Sequence, residues 1–516
     1  MLRDLVQLGR LCGIGLILAR HDAMFVAERL PVPAVLLALG RLGARLLRRS
    51  DLPARPGERL ALALTALGPT FIKTGQALSV RPDLVGKELA EDLGGLRDRL
   101  PPFPSSVARA EIASALGQSI DALYARFDDE PVAAASIAQV HFAETTEGVQ
   151  VAVKVLRPGV EAAFRRDLDL FFWLARRAEG MARLERLRPL AVVSTLADAI
   201  AIELDLRLEA AAAAELAENF KDDPELRVPA VDWQRTARRV LTIARVTGIP
   251  VADNAALDAA GIDRARAGAA VITSFLKQAM RDGFFHADMH QGNLFIALDG
   301  ALEPVDFGIM GRLDLPTRRF MAEMLLAFLT GNWQRAAEVH FEAGYVPADK
   351  SVETFAQACR SIGEPIMGRP VEEISIGRLL AQLFEITETF AMRTQPQLLL
   401  LQKTMVTAEG VARGLDPSIN FWTVSQPVIE DWMRGAMGPA ARIEQAAGGA
   451  MAALQRLPGL MDKVDRAATA LASDGVRLDA DSIARLAAEQ ARARRPLLLV
   501  ALAAGLIIVL LALSLR

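Results

Sequence analysis

The stretch Gly283–Gly308, GFFHADMHQGNLFIALDGALEPVDFG, constrains the fold more tightly than any other part of the chain. It carries Asp288, then Asn293 five residues later, then Asp306-Phe307-Gly308 beginning thirteen residues past the asparagine. Between them, Leu294-Phe295-Ile296 and Glu303-Pro304-Val305 flank the turn pair Asp299-Gly300. That pattern predicts a β-hairpin. Its open end brings Asn293 and Asp306 together, an amide carbonyl facing a carboxylate. Hard, oxygen-only donors of this kind suit Mg²⁺. An ordinary polar surface hairpin shares the same local pattern. The reading therefore turns on two residues elsewhere: a lysine that can hold phosphate, and a carboxylate that can hold the lysine.

Composition sets the background for finding them. The chain has 516 residues, enough for two to four domains. It is 52% hydrophobic but only 5% aromatic, so Leu, Ala and Val carry the burial and helices are favoured. A net charge of −3 gives no global pull towards nucleic acid or acidic membrane. Two cysteines, Cys12 and Cys359, exclude a disulfide framework or a cysteine-based metal site, and point to a reducing compartment. Of 59 basic residues only 8 are lysine and 51 are arginine, so each lysine is worth placing individually.

Residues 1–50 are apolar but interrupted. Leu11–Leu18 is too short to cross a bilayer and stops at Arg20-His21-Asp22, with no signal-peptide cleavage pattern. Pro31–Arg49 alternates leucine clusters with arginines as an amphipathic helix would, lying on a membrane or packing on the protein. Residues 58–81 have helical periodicity broken at Gly68-Pro69, with Lys73 and Gln76 three apart on one face. PPFP at 101–104 marks a boundary, and Ser105 or Ser106 can cap the helix that follows. Next come two strands joined by a turn, Pro131–His141 and Gln150–Val155, with Gly148 between. Alternation puts Lys154 on the face opposite Val153 and Val155. Val151-Ala152-Val153-Lys154 is similar to the V-A-I-K strand of protein kinases. Where a kinase has a Gly-rich loop this chain has Ala133-Ala134-Ala135-Ser136, which is stiffer because alanine resists positive φ. Leu190–Phe220 reads as one long helix, the first able to supply a glutamate partner for Lys154. Arg245–Pro250 looks like a linker between lobes, and Pro396–Gly410 has an apolar stripe that should build a core, with Lys403 lacking an evident partner. Pro496–Leu515 is twenty residues without charge, preceded by Arg492, Arg494 and Arg495. At about 1.5 Å per residue it matches a bilayer core of roughly 30 Å. The arginines place that side in the cytoplasm.

Taken in order, these motifs are identified with the UbiB family of atypical kinase-like proteins of ubiquinone biosynthesis, over roughly residues 55–425. The stretches carrying the resemblance are Phe71–Gln76, Pro131–His141, Val151–Lys154, Glu203-Leu204-Asp205 with Glu209, His286–Asn293 and Asp306–Gly308, joined by Leu400–Thr404. The resemblance implies an α+β, bilobal kinase-like fold. Its expected parts are a helical extension (1–104) with the KxGQ motif, an N-lobe (105–248), a C-lobe (249–430), a helical linker (431–495) and a transmembrane anchor (496–515). It implies ATP and Mg²⁺ as cofactors. Lys154 would hold phosphates and pair with Glu209, Asn293 and Asp306 would hold Mg²⁺, and Asp288 stands where kinases keep the catalytic base. Ala133, Ala134, Ala135 and Ser136 would lie over the nucleotide. Lys73 and Gln76 belong to the KxGQ extension, which covers the groove where a protein substrate would dock, and Glu203 and Asp205 face it.

The implied activity is ATP hydrolysis stimulated by membrane lipid and phenolic quinone precursors, by a body held at the cytoplasmic face of a bacterial inner membrane. Other ubiquinone-biosynthesis proteins are implied partners, nucleic acid is not, and a homodimer is left open. A true protein or small-molecule kinase and a nucleotide-binding scaffold are the competing readings. A hydroxylase is disfavoured, since no GxGxxG is present and His286 and His290 sit in a loop the kinase-like reading already explains. The chain departs from the family pattern at Ala287 and Gln291, where Gly and Pro are usual, at Ala244-Arg245, where an acidic residue is common, and in showing one terminal membrane segment where many relatives have two.

Overall fold

The structure, a computed structural model, describes residues 2–25, 49, 51–79, 85–94, 96, 100–179, 189–364, 386, 389–392 and 396–437. The chain divides into two compact units, 1–433 and 434–516. Of the second, the description covers only residues 434–437. Most of the expected amphipathic helix at 31–49, the linker beyond 437 and the apolar segment 496–515 lie outside the described residues. Among the described residues, no helix is long and apolar enough to cross a membrane.

Among the described residues the first unit begins with helices α1 (Leu2–Arg20), α2 (Pro56–Leu67), α3 (Pro69–Ser79) and α4 (Lys87–Gly94). Gly68 separates α2 from α3 at φ +105°, a conformation that excludes most side chains, and Pro69 opens α3. Leu60, Ala63, Leu64, Phe71, Ile72 and Leu93 form a core of their own between these helices. Gly75 on α3 belongs to that packing: a Cβ there would stand 2.5 Å from Leu96 Cδ1 and 2.7 Å from Leu64 Cδ1. The helix α5 (Ser105–Leu116) starts with Pro104 at its N-cap and no side-chain cap bond. Neither Ser105 nor Ser106 therefore caps it. Gly117 closes it in the left-handed conformation.

After the short α6 (Ile120–Leu123) comes a five-stranded antiparallel sheet. Its strands are β1 (Tyr124–Phe127), β2 (Ala133–Ala134), β3 (Ala138–Thr145), β4 (Gln150–Leu156) and β5 (Val240–Ala244), in the order β1-β3-β4-β5 with β2 beside β3. Ala133 pairs with Val140, Val140 with Lys154, and Lys154 with Leu241, so one rung crosses the sheet at the lysine. Val151, Val153 and Val155 are buried on the other face, as the alternation of β4 requires.

Three helices follow β4: α7 (Val160–Ala178), α8 (Pro189–Glu203) and α9 (Leu206–Asn219). The run 190–220 is thus two helices, not one. It breaks at Leu204-Asp205, where Asp205 leaves helical backbone and its carboxylate accepts the Arg207 N–H as an N-cap. Leu206 and Ala210 of α9 pack under the sheet, while Ala213 and Leu216 enter the core of the lower lobe. One helix therefore spans both.

The lower lobe is built on β6 (Ile249–Pro250), α10 (Asn254–Ala259) and α11 (Arg264–Leu276), the last continuing as a π-helical turn over Lys277–Asp282. Then come β7 (Phe284–His286), β8 (Leu294–Ile296), β9 (Leu302–Pro304) and β10 (Met310–Arg312). The predicted hairpin is present: β8 and β9 pair antiparallel, with Phe295 opposite Glu303. Gly300 turns the loop at φ +89°, and its N–H donates to the Ala297 carbonyl. Between the lobes, Gly248 lies so close to the hairpin that a Cβ would stand 2.8 Å from the Ile296 carbonyl oxygen.

Helices α12 (Leu315–Leu329), α13 (Trp333–Glu342) and α14 (Val352–Gly363) form a satellite layer with a core around Phe355 and Cys359. The last two described helices are α15 (Pro396–Leu415) and α16 (Phe421–Met437). The apolar stripe of α15 packs on α11, placing Leu401, Ala408 and Ala412 in the lower-lobe core with Phe275, Phe285 and Phe307.

Candidate active site

Lys154 is the centre of the cleft. Its Nζ donates to Glu209 Oε1 at 2.7 Å and to Asp306 Oδ1 at 3.0 Å. The three residues come from β4, α9 and the segment after β9, so the contact joins sheet, bridging helix and lower lobe. Burial disfavours charge on Lys154, but the Asp306 and Glu209 carboxylates outweigh it and hold the ammonium well above the usual lysine range. Burial pushes Glu209 up to about 6, against the pull of Lys154. Burial acts in the same direction on Asp306, yet Lys154, with Lys73 and His286 behind it, pulls that carboxyl below its usual range. Protein encloses Asp306 from behind, while 51% of its side-chain surface stays open to the cleft, so a ligand can reach it. Its backbone is at φ +66°, a strained conformation for a residue with a side chain.

The loop from β7 to β8 carries the other polar groups. The Asp288 N–H donates to His286 Nδ1 at 3.1 Å, fixing that ring, which packs edge-on against Phe307. Burial lowers the His286 pKa, against the pull of Asp306 and Asp288. Asn293 Nδ2 donates to the Asp288 carbonyl at 3.2 Å, and the Val305 N–H donates to the Asn293 carbonyl at 2.9 Å. The second bond brings the two ends of the hairpin together, so Asn293 and Asp306 share one end of it, as the spacing predicts. Asn293 Oδ1 is left as an acceptor, while Asp306 Oδ1 is occupied by Lys154 and the Gly308 N–H, leaving Oδ2. Among the described residues, no cluster of three His, Cys, Asp or Glu side chains forms a metal cage. Two oxygen donors, the half-open Asp306 and the buried Asn293, would suit a Mg²⁺ ion brought in by nucleotide phosphates.

The Ala-rich segment lies across the sheet from Lys154. Ala133 and Ala134 form β2, the Ala135 N–H closes a tight turn onto the Ala138 carbonyl at 2.8 Å, and Ser136 is buried. Arg157 holds this turn from behind, donating Nε to the Ala135 carbonyl at 2.8 Å and Nη2 to the Leu100 carbonyl at 3.2 Å. Gln139 clamps the backbone of Phe103 on both sides, Oε1 accepting at 3.0 Å and Nε2 donating at 3.2 Å. The PPFP boundary is thereby tied to the loop over the site. Sequence reasoning missed both side chains.

The extension meets the body through α3. Lys73 Nζ donates to Glu203 Oε1 at 3.0 Å, and both side chains are largely buried. Gln76 lies one turn further along α3, half-buried. Asp205 does not join this contact: it caps α9 and pairs with Arg207, so the two acids of the ExD motif have separate tasks. Lys403 was without a partner in the sequence, but its Nζ stands 3.7 Å from Asp288 Oδ1. The signal that could have found it is the scarcity of lysine: three of eight, Lys73, Lys154 and Lys403, converge on this cleft.

Comparison with known proteins agrees with this geometry. Residues 95–340 match the model of the ABC1 atypical kinase-like domain, and residues 359–420 that of the UbiB helical domain. A probable protein kinase UbiB of Marinobacter nauticus is 41% identical over 424 residues, 81% of this chain and 78% of its own. One from Azotobacter vinelandii is 43% identical over 420 residues, 80% of this chain and 77% of its own. The solved Rv3197–erythromycin complex of Mycobacterium tuberculosis superposes with a TM-score of 0.50 at 26% identity, covering 71% of this chain and 93% of that one. The mixed helix-and-sheet body described above is accordingly an atypical kinase-like fold, and the chain belongs to the UbiB family.

Proposed function

We propose that the protein is a membrane-anchored, Mg²⁺-dependent kinase-like ATPase that supports ubiquinone biosynthesis by acting on or mobilising polyprenyl-phenol lipid precursors. The observation that carries this reading is the position of Lys154, shared between Glu209 and Asp306 at 2.7 and 3.0 Å. On this reading ATP enters with its phosphates on Lys154, and Glu209 keeps that ammonium in place. Asp306 and Asn293 would be the donors that hold Mg²⁺. The metal supplies charge neutralisation for the phosphate oxygens. Asp288 stands beside the site where an acceptor hydroxyl or water would be oriented. The Lys73–Glu203 contact supports hydrolysis over protein phosphorylation, because it fastens the extension to the body beside the cleft and leaves less room for a polypeptide substrate. The uncharged segment 496–515 and the arginines ahead of it support a single-pass anchor in the bacterial inner membrane, with the body on the cytoplasmic side.

The test is phosphate release from Mg²⁺-ATP by the full chain in anionic liposomes, with and without a polyprenyl-phenol. The reading expects release that the phenol raises several-fold. Stoichiometric transfer of the γ-phosphate to a protein, with no free phosphate, would replace it with the protein-kinase reading.

A further inference from the structure

The helix α15 brings a cation to the cleft that the nucleotide reading has not used. Lys403 Nζ lies 3.7 Å from Asp288 Oδ1, and His290 Nε2 lies 3.6 Å from Oδ2 of the same carboxylate. The register of α15 at this point is fixed by the next residue. Thr404 is fully buried, with its hydroxyl 3.1 Å from the Ala287 carbonyl and 2.8 Å from the Leu400 carbonyl of its own helix. A threonine seated on the backbone of the loop leaves the preceding lysine directed at the loop's carboxylate.

The other two lysines of the cleft are committed to carboxylates at hydrogen-bond distance, Lys154 to two of them and Lys73 to one. Lys403 differs. At 3.7 Å its contact with Asp288 is beyond hydrogen-bond length, and 42% of its side chain is exposed. Its three ammonium donors are therefore available to an arriving anion. The loop itself offers no substitute, since Met289-His290-Gln291-Gly292 contains neither lysine nor arginine. Charge in phosphoryl transfer spreads over the three outer oxygens of the terminal phosphate, and stabilising it takes cations beyond those on the inner phosphates.

We propose that Lys403 binds the terminal phosphate of the nucleotide next to Asp288, so that α15 completes the active site as well as the core. This rests on the nucleotide reading above. The opposing possibility is that Lys403 makes only a surface ion pair with Asp288, of the sort that contributes little.

The test measures the affinity of the full chain, with Mg²⁺, for a non-hydrolysable ATP analogue and for ADP, by competition with a fluorescent nucleotide. Lys403→Ala should weaken the ATP analogue about tenfold, the scale of one charge-assisted contact, and ADP by less than about twofold. Lys403→Gln, which keeps the stem, should give the same selective loss, and Lys403→Arg should retain most of the preference. Equal losses for both nucleotides, or no loss for either, in Lys403→Ala and Lys403→Gln overturn the proposal while leaving the nucleotide site standing. Failure of the unaltered chain to bind either nucleotide overturns the nucleotide reading and this proposal with it.

Discussion

At the scale of single residues, the cleft is held by one cation between two acids. Replacing Lys154 by Met leaves Glu209 buried without its cation, and breaking a buried pair in this way costs about 3 kcal/mol. Adding Glu209→Gln should recover more than half of that loss in urea unfolding. The deficit should also depend on pH in a defined direction. A carboxyl whose folded pKa is raised contributes stability below its unfolded pKa and loses it as pH rises through the folded one. Glu209 is already raised to about 6 with Lys154 present. Without Lys154 the same burial holds this carboxyl higher still, so the Lys154→Met deficit should be greatest at alkaline pH and shrink on acidification towards about 6, where the variant's carboxyl already carries its proton. A deficit independent of pH would place the cost in packing. These residues were legible from motif type and order, which named Lys154, Glu209 and Asp306 together. The Lys154–Glu209 pair was expected from the resemblance, whereas the Lys154–Asp306 contact was not, because it joins positions 152 residues apart. Lys403 was missed for the same reason, its partner being on another element far upstream.

At the scale of elements, the helix that carries Glu209 matters most. The sequence 190–220 reads as one helix because its Ala and Leu residues favour helix throughout, and nothing local demands a stop. The break comes from Asp205, whose side chain competes for backbone N–H groups and starts α9 afresh. That restart places Glu209 in the first turn of α9. Asp205→Ala should cost about 1 kcal/mol in chemical unfolding, the usual value of an N-cap, and should raise the KM for ATP several-fold through the freed first turn. Asp205→Asn, which can still cap, should keep both near normal. An unchanged KM in Asp205→Ala would separate the cap from the site. Other elements followed their local pattern more closely. The hairpin β8–β9, the β3–β4 pair and the Gly68-Pro69 break all rest on turn residues and alternation, which act over a few positions. The π-helical turn at Lys277–Asp282 and the Gln139 and Arg157 clamps have no such local signature.

At the scale of the whole molecule, three features were legible in the sequence: a helical extension, a kinase-like body and an uncharged segment at 496–515. The body's kinase-like character is established by its fold and its family. The proposed anchor rests on the sequence of 496–515 alone, and removing residues 496–516 should shift the protein from the membrane fraction to the supernatant while preserving nucleotide binding. Continued sedimentation with membranes would assign the attachment to another part of the chain, such as the basic 31–49 segment. We propose that Asp306, reached from the open cleft, makes this body an ATP-hydrolysing enzyme. The most direct test is phosphate release from Mg²⁺-ATP by the full chain and by Asp306→Asn, compared in the same liposomes. Measurable turnover is expected from the unaltered chain, with a loss of at least about a hundredfold in the variant, the scale of losing a key electrostatic contact to the reacting group. Equal rates in the two proteins, or no turnover by a folded unaltered chain, would contradict it.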